Sequence, residues 1–240
     1  MNLVAGGAVI SGSAFLGGAA GFGTALVSTP LLLLLGFPLP FVITLNLAMN
    51  MLTRVSVTYQ LRTNITRRSW LLIVGSVPGL ILGVLVLTSV SAHEIKLATG
   101  VAVLGLTLLV ARAIDAPPPR PMRGAPLAAG FAGGFLGSTT SLNGMPAVLL
   151  LARDKVAPVS FLADLAVYFV LSNAIGLTVL KFGHALNTQA LFPVLFLWLP
   201  GSLIGNQIGI TLGTRLPERL FRWLTIAVAL VSGVVTLVTA

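Results

Sequence analysis

The sequence predicts an all-α polytopic membrane protein made of two inverted repeats. Each repeat is expected to hold one broken, re-entrant glycine-rich helix stretch and about three spanning helices. Three observations lead to this fold class: a composition too poor in charge for a soluble surface, a glycine-rich motif that occurs twice, and an uneven distribution of basic residues over the loops.

The composition excludes a water-soluble protein. Of the 240 residues, 56% are hydrophobic and only 8% are charged, whereas soluble domains carry about 25% charged residues. The first charged side chain is Arg54, and a bilayer-spanning helix needs about 20 apolar residues. The opening stretch alone therefore exceeds the length of two spans.

The net charge of +9 would suggest a nucleic-acid partner in a soluble protein. Here the basic residues fall in short loops between apolar segments, as membrane orientation requires, so we expect the lipid bilayer as a partner and no nucleic acid. The chain has no cysteine, which excludes disulfides and thiolate metal sites.

Eight apolar stretches can be marked. They are roughly 3–36, 38–61, 69–88, 93–111, 126–152, 156–181, 188–212 and 217–239. The proline-rich segment 115–121 lies between the fourth and the fifth, and successive prolines favour extended chain over helix. We therefore predict a first repeat over 1–114, a linker over 115–125 and a second repeat over 126–240.

Two motifs recur and indicate the duplication. A shift of 116 positions places the glycine-rich segment 15–30 on 131–146, with Pro30 on Pro146. A shift of 122 positions places Pro78-Gly79-x-x-x-Gly83 on Pro200-Gly201-x-x-x-Gly205. Glycines four residues apart allow two helices to approach closely in lipid, so we interpret this second motif as packing and not as a site.

The loop charges favour an inverted arrangement. If all eight stretches cross the membrane, the basic residues divide almost evenly between the two sides. If the first and fifth stretches enter and leave on the same side, eleven basic residues share one side and two lie opposite, which is the bias of cytoplasmic loops. The eleven are Arg62, Arg67, Arg68, Arg112, Arg120, Arg123, Arg153, Lys155, Arg215, Arg219 and Arg222, against Lys96 and Lys181.

The glycine-rich breaks are candidate binding elements. A re-entrant segment is tolerated in a membrane only where it is buried in protein or lines a polar cavity, and helix starts offer free N–H groups to an anion. The alternative is a glycine-rich helix contact whose hydroxyls bond to their own backbone. The candidate residues are Gly21, Gly23, Thr24 and Ser28 in the first copy, and Ser138, Thr139, Thr140, Ser141 and Asn143 in the second.

Polar stripes on the following helices are the second candidate. Asn46, Asn50 and Arg54 are spaced four apart, as are Asp164, Tyr168 and Ser172, so each set shares one helix face. Ionisable groups within spans face the interior and are commonly functional, so Arg54 is expected to balance an anion and Asp164 to tune or couple the site. Two alternatives remain open: an Arg54–Asp164 pair that only pins two helices, and an Arg54 that snorkels to the surface.

Enzyme signatures are missing from the sequence. His93 and His184 have no second histidine or carboxylate at ligand spacing, and the chain contains no nucleotide-binding loop or nucleophile elbow. We therefore expect no enzyme activity, no metal and no cofactor.

The chain resembles the sulfite exporter TauE/SafE family of bacterial membrane proteins. The resemblance rests on the glycine-rich opening that ends at Pro30, the basic loop 62–68, the motif Pro78-Gly79-x-x-x-Gly83 and the second copy of each. The family usually carries a Thr-Ser pair in the helix after the opening, where this chain has Thr44-Leu45-Asn46. The second copy, Ser141-Leu142-Asn143-Gly144, also lacks the denser glycine run common there.

The resemblance implies a multi-pass permease of the bacterial inner membrane for small sulfur-containing or organic anions, such as sulfite, sulfoacetate or other sulfonates. Such a protein would work by alternating access, driven by a proton, another ion or the gradient of the substrate itself. The alternative from another class is a membrane-embedded enzyme or an accessory subunit without transport of its own.

Overall fold

A computed structural model describes residues 2–113, 124–186 and 188–213, together with isolated positions between 227 and 238. These residues form helices and no strand, as the sequence predicts for the fold class. The helices are α1 (Leu3–Ala20), α2 (Thr24–Leu34), α3 (Leu39–Gln60), α4 (Arg67–Ser89), α5 (Ala92–Ala113), α6 (Ala125–Thr140), α7 (Gly144–Arg153), α8 (Pro158–Phe182) and α9 (Thr188–Gly213), with one 3₁₀ turn at Arg62–Asn64.

Five of the predicted apolar stretches are single helices, and the first and fifth are each divided in two. Within the described part of the chain, four helices are long and apolar enough to cross a membrane: Leu39–Gln60, Arg67–Ser89, Val159–Phe182 and Leu191–Leu212. Most of the last stretch, 217–239, and nearly all of the linker 115–125 lie outside the described residues.

The first break reverses the chain. α1 ends at Gly21 (φ 75°), and Gly23 (φ 98°) precedes α2, so both glycines adopt the left-handed backbone that other residues avoid. A Cβ on Gly17 would overlap the hydroxyl of Thr24, and one on Gly6 would lie 3.1 Å from the ring of Phe37. The start of α2 thus lies beside the end of α1, and α2 runs back towards the start of α1. Its 11 residues extend only about 16 Å.

The second break has the same form with different residues. α6 ends at Ser141, which adopts a left-handed φ of 63°, and a Cβ on Gly137 would lie 2.8 Å from the Cβ of Asn143. α7 has 10 residues, about 15 Å, which is too short for a hydrocarbon core of about 30 Å. α2 and α7 each end in a Schellman motif, where Phe37 N–H donates to the Leu32 carbonyl (3.1 Å) and Val156 N–H to that of Leu151 (3.2 Å).

The breaks correct the repeat offset. A shift of 120 positions places Gly21 on Ser141, so that the two left-handed residues coincide. It also aligns Phe15-Leu16-Gly17 with Phe135-Leu136-Gly137. The sequence-based shift of 116, which placed Gly21 on Gly137, is therefore wrong by one helical turn.

Helices of the two halves pack in exchanged pairs, in which one helix of the first half lies along one helix of the second. The pairs are α4 along α6, α1 along α9, and α3 along α8. Three glycines of α4 meet the backbone of α6, and three glycines of α9 meet α1. The contacts rise together along both chains, so each pair is parallel. They join Gly75, Gly79 and Gly83 to Leu127, Phe131 and Phe135. On the other pair they join Gly201 and Gly205 to Ser11, and Gly209 to Phe15.

These contacts also fix the relation between α4 and α9. With the breaks aligned at 120, the pair Gly79–Phe131 corresponds to Gly205–Ser11, which requires a shift of 126 positions between α4 and α9. That shift aligns all three glycines of each helix. The sequence-based shift of 122, which placed Gly79 on Gly201, is one turn short.

α3 and α8 run in opposite directions. A Cβ on Gly176, in the second half of α8, would lie 3.5 Å from a methyl group of Leu47 in the first half of α3. Asp164, near the start of α8, contacts Thr66, which follows the end of α3. α3 and α8, the first long helices after the two breaks, are therefore antiparallel.

Candidate functional site

The two broken helices meet in a buried network of hydroxyl and amide groups. The hydroxyls of Thr29 on α2 and Ser141 at the second break lie 2.8 Å apart. Asn46 of α3 donates its amide N–H groups to Thr29 (3.0 Å) and Ser141 (3.2 Å), and its amide oxygen accepts from Ser28 (2.8 Å). All four side chains are buried. The predicted residues Ser28, Asn46 and Ser141 thus come together with Thr29.

A second polar cluster surrounds Asn143 at the other break. Its amide nitrogen donates to the hydroxyl of Ser172 (3.4 Å) and to the amide oxygen of Asn173, and the Tyr168 hydroxyl donates to its backbone carbonyl (3.3 Å). Asn143, Tyr168 and Ser172 were predicted from the sequence. Asn173 was missed because it does not belong to the set of residues four apart. A polar asparagine within an apolar span could itself have indicated a functional position.

Arg54 is buried at the first break. Its side chain is only 3% exposed, and Nη2 donates to the carbonyl of Gly17 at the end of α1 (2.9 Å). A cation at a helix C-terminus is favourable because the free carbonyls there carry partial negative charge. Nε has no hydrogen-bond partner. The snorkelling alternative is therefore wrong, because the guanidinium lies inside the protein.

Asp164 has a different partner from those that the sequence suggested. One carboxylate oxygen accepts from the backbone N–H of Thr66, the other from its hydroxyl, both at 2.7 Å. Thr66 is the N-cap of α4. Arg54 and Asp164, both within the described part of the chain, form no ion pair, so the pinning alternative is also wrong. Asp164 instead anchors the loop between α3 and α4 to α8.

The remaining predicted side chains are those of Ser138, Thr139, Thr140, Thr24 and Asn50. The hydroxyls of Ser138, Thr139 and Thr140 donate to carbonyls of their own helix. This agrees with the alternative that these hydroxyls bond to their own backbone. Thr24 lies against Gly17. Asn50, on the same face of α3 as Asn46, is 8% exposed.

Gly23 and Asn143 are the N-cap residues of α2 and α7, and neither provides a side-chain cap. Helix starts favour negative charge. Among the described residues, no three His, Asp or Glu side chains lie together as a metal site would require.

Comparison with known proteins gives one result. The model of the sulfite exporter TauE/SafE family matches residues 4–236. The searches of curated proteins and of solved structures found no match. Since the match covers nearly the whole chain, the protein belongs to the sulfite exporter TauE/SafE family.

Proposed function

We propose that this protein is a secondary transporter that carries small sulfur-containing or organic anions, such as sulfite, sulfoacetate or other sulfonates, across the bacterial inner membrane by alternating access. The family provides the general class, a membrane transporter of the sulfite-exporter type. The substrate range and the mechanism are the parts that we propose.

One observation carries the proposal: both broken helices bring polar groups into the protein interior, and a buried arginine lies at the end of α1 beside the first break. The hydrogen bond between Thr29 and Ser141 joins α2, the helix after the first break, to the second break. A buried guanidinium suits an oxyanion, because charge-assisted hydrogen bonds are strong away from water. We propose that the predicted site residues form the region around the anion, with Arg54 as a direct donor and Asp164 as an anchor.

The inverted repeat is the second part of the proposal, with repeats over 1–114 and 126–240. Three findings support it: α3 and α8 are antiparallel, each half contains a helix that breaks and turns back, and helices pack in exchanged pairs. Inverted repeats with discontinuous helices near the midplane are a recurrent transporter architecture, in which one half moves against the other.

A ligand screen tests the binding part. The purified protein in detergent is heated with sulfite, sulfate, methanesulfonate, sulfoacetate or acetate, and chloride at equal ionic strength is the control. A ligand that binds only the folded state stabilises it by about 2.7 kcal/mol at 100 times its Kd, so we expect a higher unfolding temperature with at least one sulfur oxyanion. No shift with any of these anions, beyond that of chloride, would contradict the proposal.

A further inference from the structure

Two buried nitrogen donors have no hydrogen-bond partner among the described residues. Within the described residues, four fully buried side-chain polar atoms lack a hydrogen bond: the hydroxyl oxygens of Ser13 and Ser202, Nε of Arg54 and Nδ2 of Asn173. A buried donor left unpaired is unfavourable, and native structures contain few of them. The two nitrogens lie at the two breaks, one in each half.

The neighbouring network has no donor to spare. Both N–H groups of the Asn46 amide are used, towards Thr29 and Ser141, and its oxygen accepts from Ser28. These groups satisfy one another and tie α2 and α3 to the second break. Because these groups bond to one another, they connect the broken helices and leave no donor for a ligand.

Asn173 is held in one orientation. Its amide oxygen accepts from Asn143, so its nitrogen is directed away from Asn143. The side chain is 0% exposed, which leaves the nitrogen no bulk water as a partner. An acceptor brought in by a ligand would satisfy it.

Arg54 and Asn173 lie at similar depth on the antiparallel pair α3 and α8. Taking the Leu47–Gly176 contact as a common level, Arg54 is seven residues beyond it on α3 and Asn173 three residues before it on α8. At about 1.5 Å per residue the two levels differ by about 6 Å. Seven residues are close to two helical turns, so Arg54 leaves α3 from the face that contacts α8.

We infer that Nε of Arg54 and Nδ2 of Asn173 donate directly to one bound oxyanion, whereas the Ser28–Thr29–Asn46–Ser141 network joins the broken helices. The ligand class is a small anion with at least two acceptor oxygens on one centre, such as sulfite or a sulfonate head group. This inference rests on the proposed function and adds Asn173 as a specificity-determining residue.

The test measures the dissociation constant of sulfite for the purified full-length protein and two variants. Asn173→Asp keeps an oxygen that can accept from Asn143 but removes the outward N–H donor. The control is Asn206→Asp, which places the same carboxyl at a buried asparagine of α9. We expect Asn173→Asp to weaken sulfite binding by about tenfold or more, and Asn206→Asp to bind like the wild type.

A second variant covers the case in which Asn173→Asp does not fold. Arg54→Lys keeps the positive charge and removes Nε, so we expect weaker binding of sulfite by about tenfold. Wild-type affinity in Asn173→Asp or in Arg54→Lys, with sulfite binding to the unaltered protein, would overturn the inference and leave the proposed function standing. If the wild type binds none of the tested anions, the proposed function fails and the inference with it.

Discussion

At the scale of single residues, burial and hydrogen bonding separate the candidates that the sequence could not separate. Asn46 and Arg54 share a helix face, but the Asn46 amide is fully bonded whereas Arg54 has a free Nε. Periodicity could place both on one internal face. It could not show which hydroxyls bond to their own helix, as Thr140 does, because that depends on side-chain rotamers.

For Arg54, charge and geometry have separable effects on transport. Arg54→Lys retains the cation but loses the planar set of donors, whereas Arg54→Gln loses both. We expect partial uptake of sulfite into proteoliposomes with lysine and almost none with glutamine. Normal uptake by both variants at equal expression would show that Arg54 only caps α1.

For Asp164, the geometry favours anchoring over coupling. Asp164→Asn exchanges a charged acceptor of two hydrogen bonds for a neutral one, which costs about 1–2 kcal/mol. We expect a lower unfolding temperature in detergent and a pH dependence of transport like that of the wild type. Loss of the pH dependence with unchanged stability would support the coupling role that the sequence suggested.

At the scale of elements, the sequence located the breaks but misaligned them. Glycines recur every four residues in α4 and α9, so a shift by one turn matches small residues almost as well as the true alignment. The second break also uses Ser141 in place of a glycine at its left-handed position, which no glycine pattern could reveal. The backbone conformation resolves both points.

The conformation of Gly21 is the testable feature of the first break. A β-branched residue is strongly disfavoured at φ 75°, so Gly21→Val should remove most transport at equal expression. Gly6, which also precedes the break, is no control because a Cβ there would overlap Trp198. Gly12 is the matched position, since nothing lies within 4 Å of a Cβ built on it.

Transport assays of Gly21→Val and Gly12→Val side by side check this prediction. We expect Gly12→Val to transport like the wild type. Equal transport by the two variants would remove the case for a special backbone at the break.

At the scale of the whole molecule, the exchanged pairs α1–α9 and α4–α6 tie each broken helix to the opposite half. Composition and loop charge were enough to predict the membrane class and to suggest inversion. They could not predict this exchange, because it depends on which glycine faces meet. In the proposed alternating-access mechanism, we expect a moving half to carry the broken helix of the other half that packs against it.

The proposed inverted arrangement predicts a membrane topology that can be measured in intact cells. Since the chain has no cysteine, Arg153→Cys and Lys181→Cys each introduce a single labelling site. We expect an impermeant reagent to label position 181 from outside and to leave position 153 protected. The reverse pattern would contradict the inverted model.

The central claim is that this chain alone moves a small oxyanion across a membrane. The most direct measurement is sulfite flux into liposomes that contain only the purified protein, with empty liposomes and Arg54→Gln as controls. We expect saturable flux with the wild type and flux near the empty-liposome level with Arg54→Gln. Flux equal to that of empty liposomes for the correctly folded wild type, with sulfite and with the sulfonates, would contradict it.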